Sequence, residues 1–241
     1  MNKLIYDIGM HLGEDTEFYL NKGYSVIAFE ADPDHVNFCK NKFREHIDNK
    51  RLVIVEGAIV ISDKSKISFY KNINVSVWGT VHKKWYKRNN NLGSRSIEIE
   101  VDVVDFEAKI KEYGIPHYMK IDIEGSDVIC LEVLKKFLEK PEYISIESDK
   151  TSFMNLKKEF DLLEDLGYGR FQVIEQSGFK NGSSGTFGTE LPDSWKSRWV
   201  TILIYRFIFL RYFLFGDNGK LRAYKSIRKW YDTHARLSKL I

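Results

Sequence analysis

Four short segments of the chain end apolar, strand-like runs in residues that can bind or react. The first is Asp7-Ile8-Gly9-Met10-His11-Leu12-Gly13, where two glycines four apart permit a tight turn and close approach of a ligand to bare backbone. The spacing is not G-x-G-x-x-G, because His11 stands where the second glycine would be. The second is Phe29-Glu30-Ala31-Asp32-Pro33, and a carboxylate in the Glu30 position can accept both hydrogen bonds of a ribose diol. The third is Val55-Glu56-Gly57-Ala58, whose small residues leave room for a flat ring such as adenine or simply turn the chain. The fourth is Lys120-Ile121-Asp122-Ile123-Glu124-Gly125, where alternation places Lys120, Asp122 and Glu124 on one side of an extended chain. Three charged groups facing one way must be solvated, paired or bound to something.

These segments need a scaffold that aligns strand ends. Strands are expected at Leu4–Ile8, Ser25–Glu30, Arg51–Val55, Ile97–Val101, Tyr118–Ile123, Tyr143–Glu147 and Phe171–Ile174, with extra strands or a hairpin at Ile59–Ile61 and Lys66–Tyr70. Helices are expected at Gly13–Lys22, from Pro33 with Asp32 as N-cap, at Asp105–Tyr113, at Val128–Leu138 and at Phe153–Leu163. Strand–helix alternation of this kind implies a doubly wound, mostly parallel α/β sheet with helices on both faces, and ligands at the carboxyl ends of its strands. Two Gly/Ser/Asn-rich stretches, Asn89–Ser96 and Asn181–Gly188, read as long active-site loops.

The segments Asp7–Met10, Gly13–Leu20, Val26–Pro33 and Met119–Gly125, taken in order, resemble the FkbM-type methyltransferases, which are class I S-adenosylmethionine-dependent O-methyltransferases. Ser76-Val77-Trp78, Gly182–Gly188 and Trp230–Ala235 are similar to one branch of that family. The resemblance implies a cofactor pocket in which Asp7, Gly9, Met10 and Gly13 line the methionine part, with Thr16 and Tyr19 nearby. It places Glu30 on the ribose, and Ala31, Asp32, Gly57 and Ala58 around adenine. Ser76, Trp78, Ser183 and Ser184 are the corresponding candidates for substrate contact.

Methyl transfer to oxygen requires alignment of the acceptor and removal of its proton. Asp122 and Glu124 are the first choices for that work, with Lys120 beside them and His82 or His234 as alternative bases. Mg²⁺ is a variant, as in some related sugar and catechol O-methyltransferases: Asp122, Glu147 and Asp149 would supply the oxygen-rich shell it prefers. The acceptor expected from family tendency is a sugar hydroxyl on a glycan or on its nucleotide-linked or phosphorylated precursor. Other readings are a lipid or polyketide acceptor, or a nucleoside-binding protein without turnover.

The 241 residues carry a net charge of +3 with 43% hydrophobic content, too apolar for a disordered chain. Two cysteines, Cys39 and Cys130, cannot build a disulfide scaffold, which suits a reduced, cytoplasmic protein; no signal peptide is seen before Lys3. The charge is uneven: from Trp195 to Ile241 eleven Lys/Arg oppose two Asp, so this tail carries +9 and the first 194 residues −6. A methyltransferase domain at 1–194 is therefore expected, followed by a basic, aromatic, helical extension at 195–241. Within it, 200–215 is apolar but interrupted by Arg206 and Arg211, too short and too charged to span a membrane. It suits packing, an oligomer contact or a membrane surface, at the inner face. Leu221, Tyr224, Ile227, Tyr231, His234 and Leu237 recur at helical spacing, and the basic residues around them would attract anionic sugars or lipid. No base-reading motif points to nucleic acid.

Overall fold

The computed structural model describes residues 3–147, 152–175, 196–197, 199–204 and 231–237. Two compact units divide the chain at Pro141/Glu142.

The first unit opens with β1 (Leu4–Ile8), α1 (Glu14–Asn21), β2 (Ser25–Glu30), α2 (Pro33–Lys42), α3 (Arg44–Asp48) and β3 (Leu52–Glu56). Asp32 caps α2 as its composition demands, its Oδ1 accepting the Asp34 N–H at 2.9 Å ahead of Pro33 at the first turn. An insertion follows: β4 (Ala58–Ile59), β5 (Lys66–Asn72), a 3₁₀ turn at Ser76–Trp78, α4 (Lys83–Asn91) and β6 (Ser96–Val104). The unit closes with α5 (Phe106–Tyr113), β7 (Tyr118–Ile121) and α6 (Asp127–Leu134).

Strands of the first unit lie in the order β3-β2-β1-β7, all parallel. The chain therefore builds outward from β1 to β3 and then returns to the other side of β1. That reversal falls between β1 and β7, and a switch in strand order opens a crevice beyond the carboxyl ends of the two strands. Both faces of these strands are covered, which is why Ile5, Tyr6, Ile8, Val26, Ala28 and Phe29 are all buried. Tyr6, Phe29 and Phe106 pack ring to ring, and the Tyr6 hydroxyl donates to the Gly114 carbonyl at 2.8 Å. The insertion forms its own sheet, β4-β6-β5, with β5 and β6 antiparallel. Its small core is Ala58, Phe69 and Val101, joined by Ala31, Ile67 and Ile99.

The second unit contains β8 (Tyr143–Glu147), α7 (Phe153–Asp165), β9 (Tyr168–Glu175) and β10 (Tyr231–Leu237). β10 lies between β8 and β9 and runs antiparallel to both. This corrects the amphipathic helix expected through Tyr231, His234 and Leu237. Backbone partners on both sides outweigh local spacing, and Thr233, His234 and Ala235 are buried as in an interior strand. Residues 199–204 are helical, and the rest of the 200–215 segment lies outside the described residues. Among the described residues no helix is long and apolar enough to cross a membrane. Residues 89–91, expected as part of a loop, complete α4.

Candidate active site

At the switch point, Asp7 and Lys120 are register partners on β1 and β7. Lys120 Nζ donates to the Gly9 carbonyl at 2.9 Å and lies 3.4 Å from Asp7 Oδ1, 3.4 Å from Asp15 Oδ2 and 4.0 Å from Asp122 Oδ2. Thr16, on the buried face of α1, donates to Asp7 Oδ2 at 2.6 Å. Asp7 is wholly buried, and burial pushes its carboxyl up to about 6 although the Lys120 charge pulls the other way. Lys120 is thus a tie that holds the first turn against β7, and its ammonium is committed to groups of the protein itself.

The glycine turn is shaped by that close approach. Gly9 has φ +87°, and a Cβ there would lie 1.9 Å from the Asp122 carbonyl oxygen. Its N–H and that of Met10 both donate to the Phe29 carbonyl at 3.0 Å, while the Asp122 N–H donates to the Ile8 carbonyl at 2.9 Å. The turn is stitched to β2 on one side and to the β7 end on the other. Gly57 has a similar packing reason: its absent Cβ would sit 2.7 Å from the Asp102 carbonyl oxygen on β6. The small residues Gly57, Ala58 and Ala31 are therefore explained by packing of the inserted sheet, whatever else they border.

Glu30 ends β2 with its carboxylate buried. Oε2 accepts the His11 N–H and Oε1 the Asp32 N–H, each at 2.8 Å, and His35 Nδ1 lies 3.8 Å from Oε1. Burial alone would lower the His35 imidazole, but the nearby Glu30 carboxylate raises it above its usual value. Each Glu30 oxygen keeps a further lone pair, so the donor set fits a vicinal diol such as that of ribose. Asp32 also accepts from Lys71 on β5 at 2.9 Å, and the same ammonium pairs with Asp34.

Beyond β7 the chain leaves the extended conformation. The strand stops at Ile121, and Glu124 takes φ +47°, so Lys120, Asp122 and Glu124 do not form the single row expected from alternation. The turn is tied by Asp127, whose carboxylate accepts the Ile123 N–H at 3.0 Å and the Gly125 N–H at 3.1 Å. Burial pushes the Asp127 carboxyl up to about 6, with these backbone bonds opposing. The Asp122 side chain is 42% exposed.

The insertion reaches each of these strand ends. Lys71 pairs with Asp32 after β2, and Ser76 Oγ lies 2.8 Å from His11 Nε2 in the β1 turn. Thr80 Oγ1 donates to the Glu124 carbonyl at 2.9 Å, and His82 Nε2 lies 2.9 Å from Ser126 Oγ after β7. Burial holds the His82 imidazole below its usual value, which disfavours its charged form. The Trp85 ring edges against Gly125, whose missing Cβ would lie 2.9 Å from the indole nitrogen. Trp78 is half-buried, its carbonyl accepting from Asn89 Nδ2 at 3.2 Å.

Several expected site residues are placed elsewhere or outside the description. Tyr19 packs on Tyr118, the first residue of β7, with ring centroids 5.9 Å apart, so it belongs to the core at the far end of that strand. Ser183 and Ser184 lie outside the described residues, as does Asp149 of the expected Mg²⁺ set. Among the described residues no group of three or more His, Cys, Asp or Glu is arranged to hold a metal ion. His234 is buried in β10, and burial pulls its imidazole down to about 4. Lys71, Thr80 and Trp85 were not legible as site residues, because only the tertiary path of the insertion brings them to the strand ends. His11 carried a signal, as a histidine inside a glycine turn, but reads there as a departure from pattern.

No curated protein matches this sequence. Among solved structures, the chain is similar to a methyltransferase FkbM from Methylobacillus flagellatus KT, at 19% identity and a TM-score of 0.45. That match covers 72% of this chain but 40% of the other, so the chain spans under half of that protein's length. It is similar also to a precorrin-6y C5,15-methyltransferase from Geobacter metallireducens GS-15, at 11% identity and a TM-score of 0.45, covering 98% of this chain and 81% of that one. The model of the methyltransferase FkbM domain matches residues 7–169, which take in the glycine turn, Glu30, the insertion and the β7 end. The chain belongs to the FkbM methyltransferase family, and that membership implies use of S-adenosylmethionine.

Proposed function

We propose that the protein is an S-adenosylmethionine-dependent O-methyltransferase acting on a sugar hydroxyl, of a glycan or of its nucleotide-linked or phosphorylated precursor. The observation that carries the cofactor assignment is Glu30: a carboxylate at the carboxyl end of β2, oriented by two backbone N–H groups at 2.8 Å and still able to accept a diol. When bound, the cofactor supplies a methyl group already attached to a good leaving group, a sulfonium sulfur. The chain has then to orient an acceptor oxygen and take its proton. Asp122, anchored through its backbone and exposed at its side chain, is suited to orient the acceptor hydroxyl.

The acceptor class is supported by the insertion beside that group. α4 presents Lys83, Lys84, Lys87 and Arg88 with a single aromatic pair, Trp85 and Tyr86, and no acidic residue. The Arg88 guanidinium lies 3.7 Å from the Trp85 ring centroid. Such a surface attracts a phosphorylated or nucleotide-linked sugar more than a neutral lipid.

Titration calorimetry with S-adenosylmethionine tests this reading first. Wild type is expected to bind, and Glu30→Ala to weaken binding at least about tenfold, the order of two lost hydrogen bonds to a charged acceptor. Unchanged affinity in that variant would remove Glu30 from the ribose. Release of S-adenosylhomocysteine with a mixture of nucleotide sugars then tests the acceptor class.

A further inference from the structure

We infer that His11 is the proton acceptor for the substrate hydroxyl, with Glu14 as the residue that positions it and Ser76 Oγ marking the place the hydroxyl takes. The inference deepens the methyltransferase reading and rests on it. His11 Nδ1 lies 3.2 and 3.3 Å from the two Glu14 carboxylate oxygens, and Nε2 lies 2.8 Å from Ser76 Oγ. A carboxylate on one ring nitrogen and a hydroxyl on the other is the arrangement of an oriented general base. With the proton on Nδ1, Nε2 keeps its lone pair for the hydroxyl, and the carboxylate stabilises the imidazolium that forms.

The ring's position is enforced from several sides. The His11 backbone sits at φ +53°, uncommon for a residue with a side chain. Its N–H is held by Glu30 Oε2 at 2.8 Å, and its carbonyl receives the Cys39 thiol at 3.5 Å. Strain held this firmly beside a ligand crevice marks a residue with work to do. The charged and titratable groups around it are Glu14 and Lys120, Glu30 on β2, and His35 and Cys39 on α2. His35 stands edge-on with ring centroids 4.6 Å apart; from the insertion comes the neutral Ser76. Burial alone would raise the Glu14 carboxyl, but its bonds to the His11 ring and to its own backbone outweigh that and leave it below the usual range.

His11 suits the task better than the residues first considered. A carboxylate, ordinarily near pKa 4, is a poorer acceptor for an alcohol proton than an imidazole near 6.5. His82 has no carboxylate among the partners described for it, and burial weakens it as a base. In the step, the substrate O–H bond breaks and its proton goes to Nε2. The oxygen–methyl bond forms as the methyl–sulfur bond breaks with its electron pair left on sulfur, and the imidazolium later gives the proton to water.

The test is nitrogen-15 NMR of the histidine rings in the full chain with S-adenosylhomocysteine. The expected result is a neutral His11 with its proton on Nδ1, and loss of that tautomer preference in Glu14→Ala. A proton on Nε2, or a tautomer indifferent to Glu14→Ala, overturns the inference. The second measurement is turnover of His11→Asn, chosen because asparagine tolerates φ near +53° yet takes up no proton. With nucleotide sugars as acceptors, kcat should fall by about 100-fold or more and the acidic limb of the pH profile should vanish, while calorimetric affinity for S-adenosylmethionine stays within about threefold. A retained limb with near-normal kcat overturns it too. Wild type failing to bind S-adenosylmethionine defeats the methyltransferase reading itself. Binding without turnover defeats the nucleotide-sugar acceptor, and the NMR result then decides His11 alone.

Discussion

The β1–β2–β7 strands and the inserted β4-β6-β5 sheet use charged residues in opposite ways. In the parallel strands, ionisable groups are few, buried and paired: Asp7 is wholly buried and Lys120 is 9% exposed. In the insertion they line an open face: β6 reads Ser-Ile-Glu-Ile-Glu-Val-Asp-Val-Val with its acids outward, and Lys71 makes its pairs at the rim. Sheets covered on both faces read as apolar runs, while antiparallel sheets alternate because one face meets water. The difference teaches where function is held rigidly and where it can vary. The buried knot fixes the glycine turn, whereas the insertion is joined to the strand ends by separate, replaceable contacts.

The contrast breaks most sharply at Lys120. Lys120→Met leaves the Asp7 carboxylate buried without its cation, and should destabilise the protein by about 3 to 5 kcal/mol and abolish S-adenosylmethionine binding. Urea unfolding and calorimetry measure both; a loss under about 1 kcal/mol would mean that the knot is no different from a surface pair.

A pH series sharpens it next. Asp127, like Asp7, has a carboxyl that burial pushes up to about 6, above the value near 3.9 expected for an unfolded chain. The native state therefore holds that proton more tightly, and its contribution is present at low pH and lost as pH rises from about 4 to about 6. Its size is on the order of 2 kcal/mol. The wild-type stability curve should fall relative to that of Asp127→Asn across this window, and parallel curves would show that the group titrates normally.

The smallest effect belongs to the rim. Lys71→Ala removes the pairs to Asp32 and Asp34 yet should cost less than about 1 kcal/mol, with solvent screening the exposed Asp34 partner. A loss as large as that at Lys120 would erase the distinction between the two regions.

Much of this organisation was legible before any coordinates. Asp32 before Pro33 marks the cap of α2, Ser25–Glu30 is a strand to the residue, and Tyr143–Glu147 likewise, because caps and buried runs are local signals. The end of β7 was misjudged: the charged alternation through Glu124 looks extended, but Asp127 folds the turn back by accepting two of its N–H groups. β10 was misread because helical spacing says nothing about partners that arrive from elsewhere in the chain. Thr233 and His234 find theirs in β8 and β9, far apart in sequence.

By itself, the sequence determined the parallel α/β frame, the acidic end of β2 and the glycine turn. Apolar periodicity, caps and turn residues act over a few positions and need no tertiary partner. Only the fold decided that Lys120 ties the turn, and that the glycines answer to neighbouring carbonyls. It alone brought Ser76 to the Nε2 of His11. The longest of these contacts join residues up to 113 positions apart, and such distances are set by how the strands stack, which no local pattern encodes.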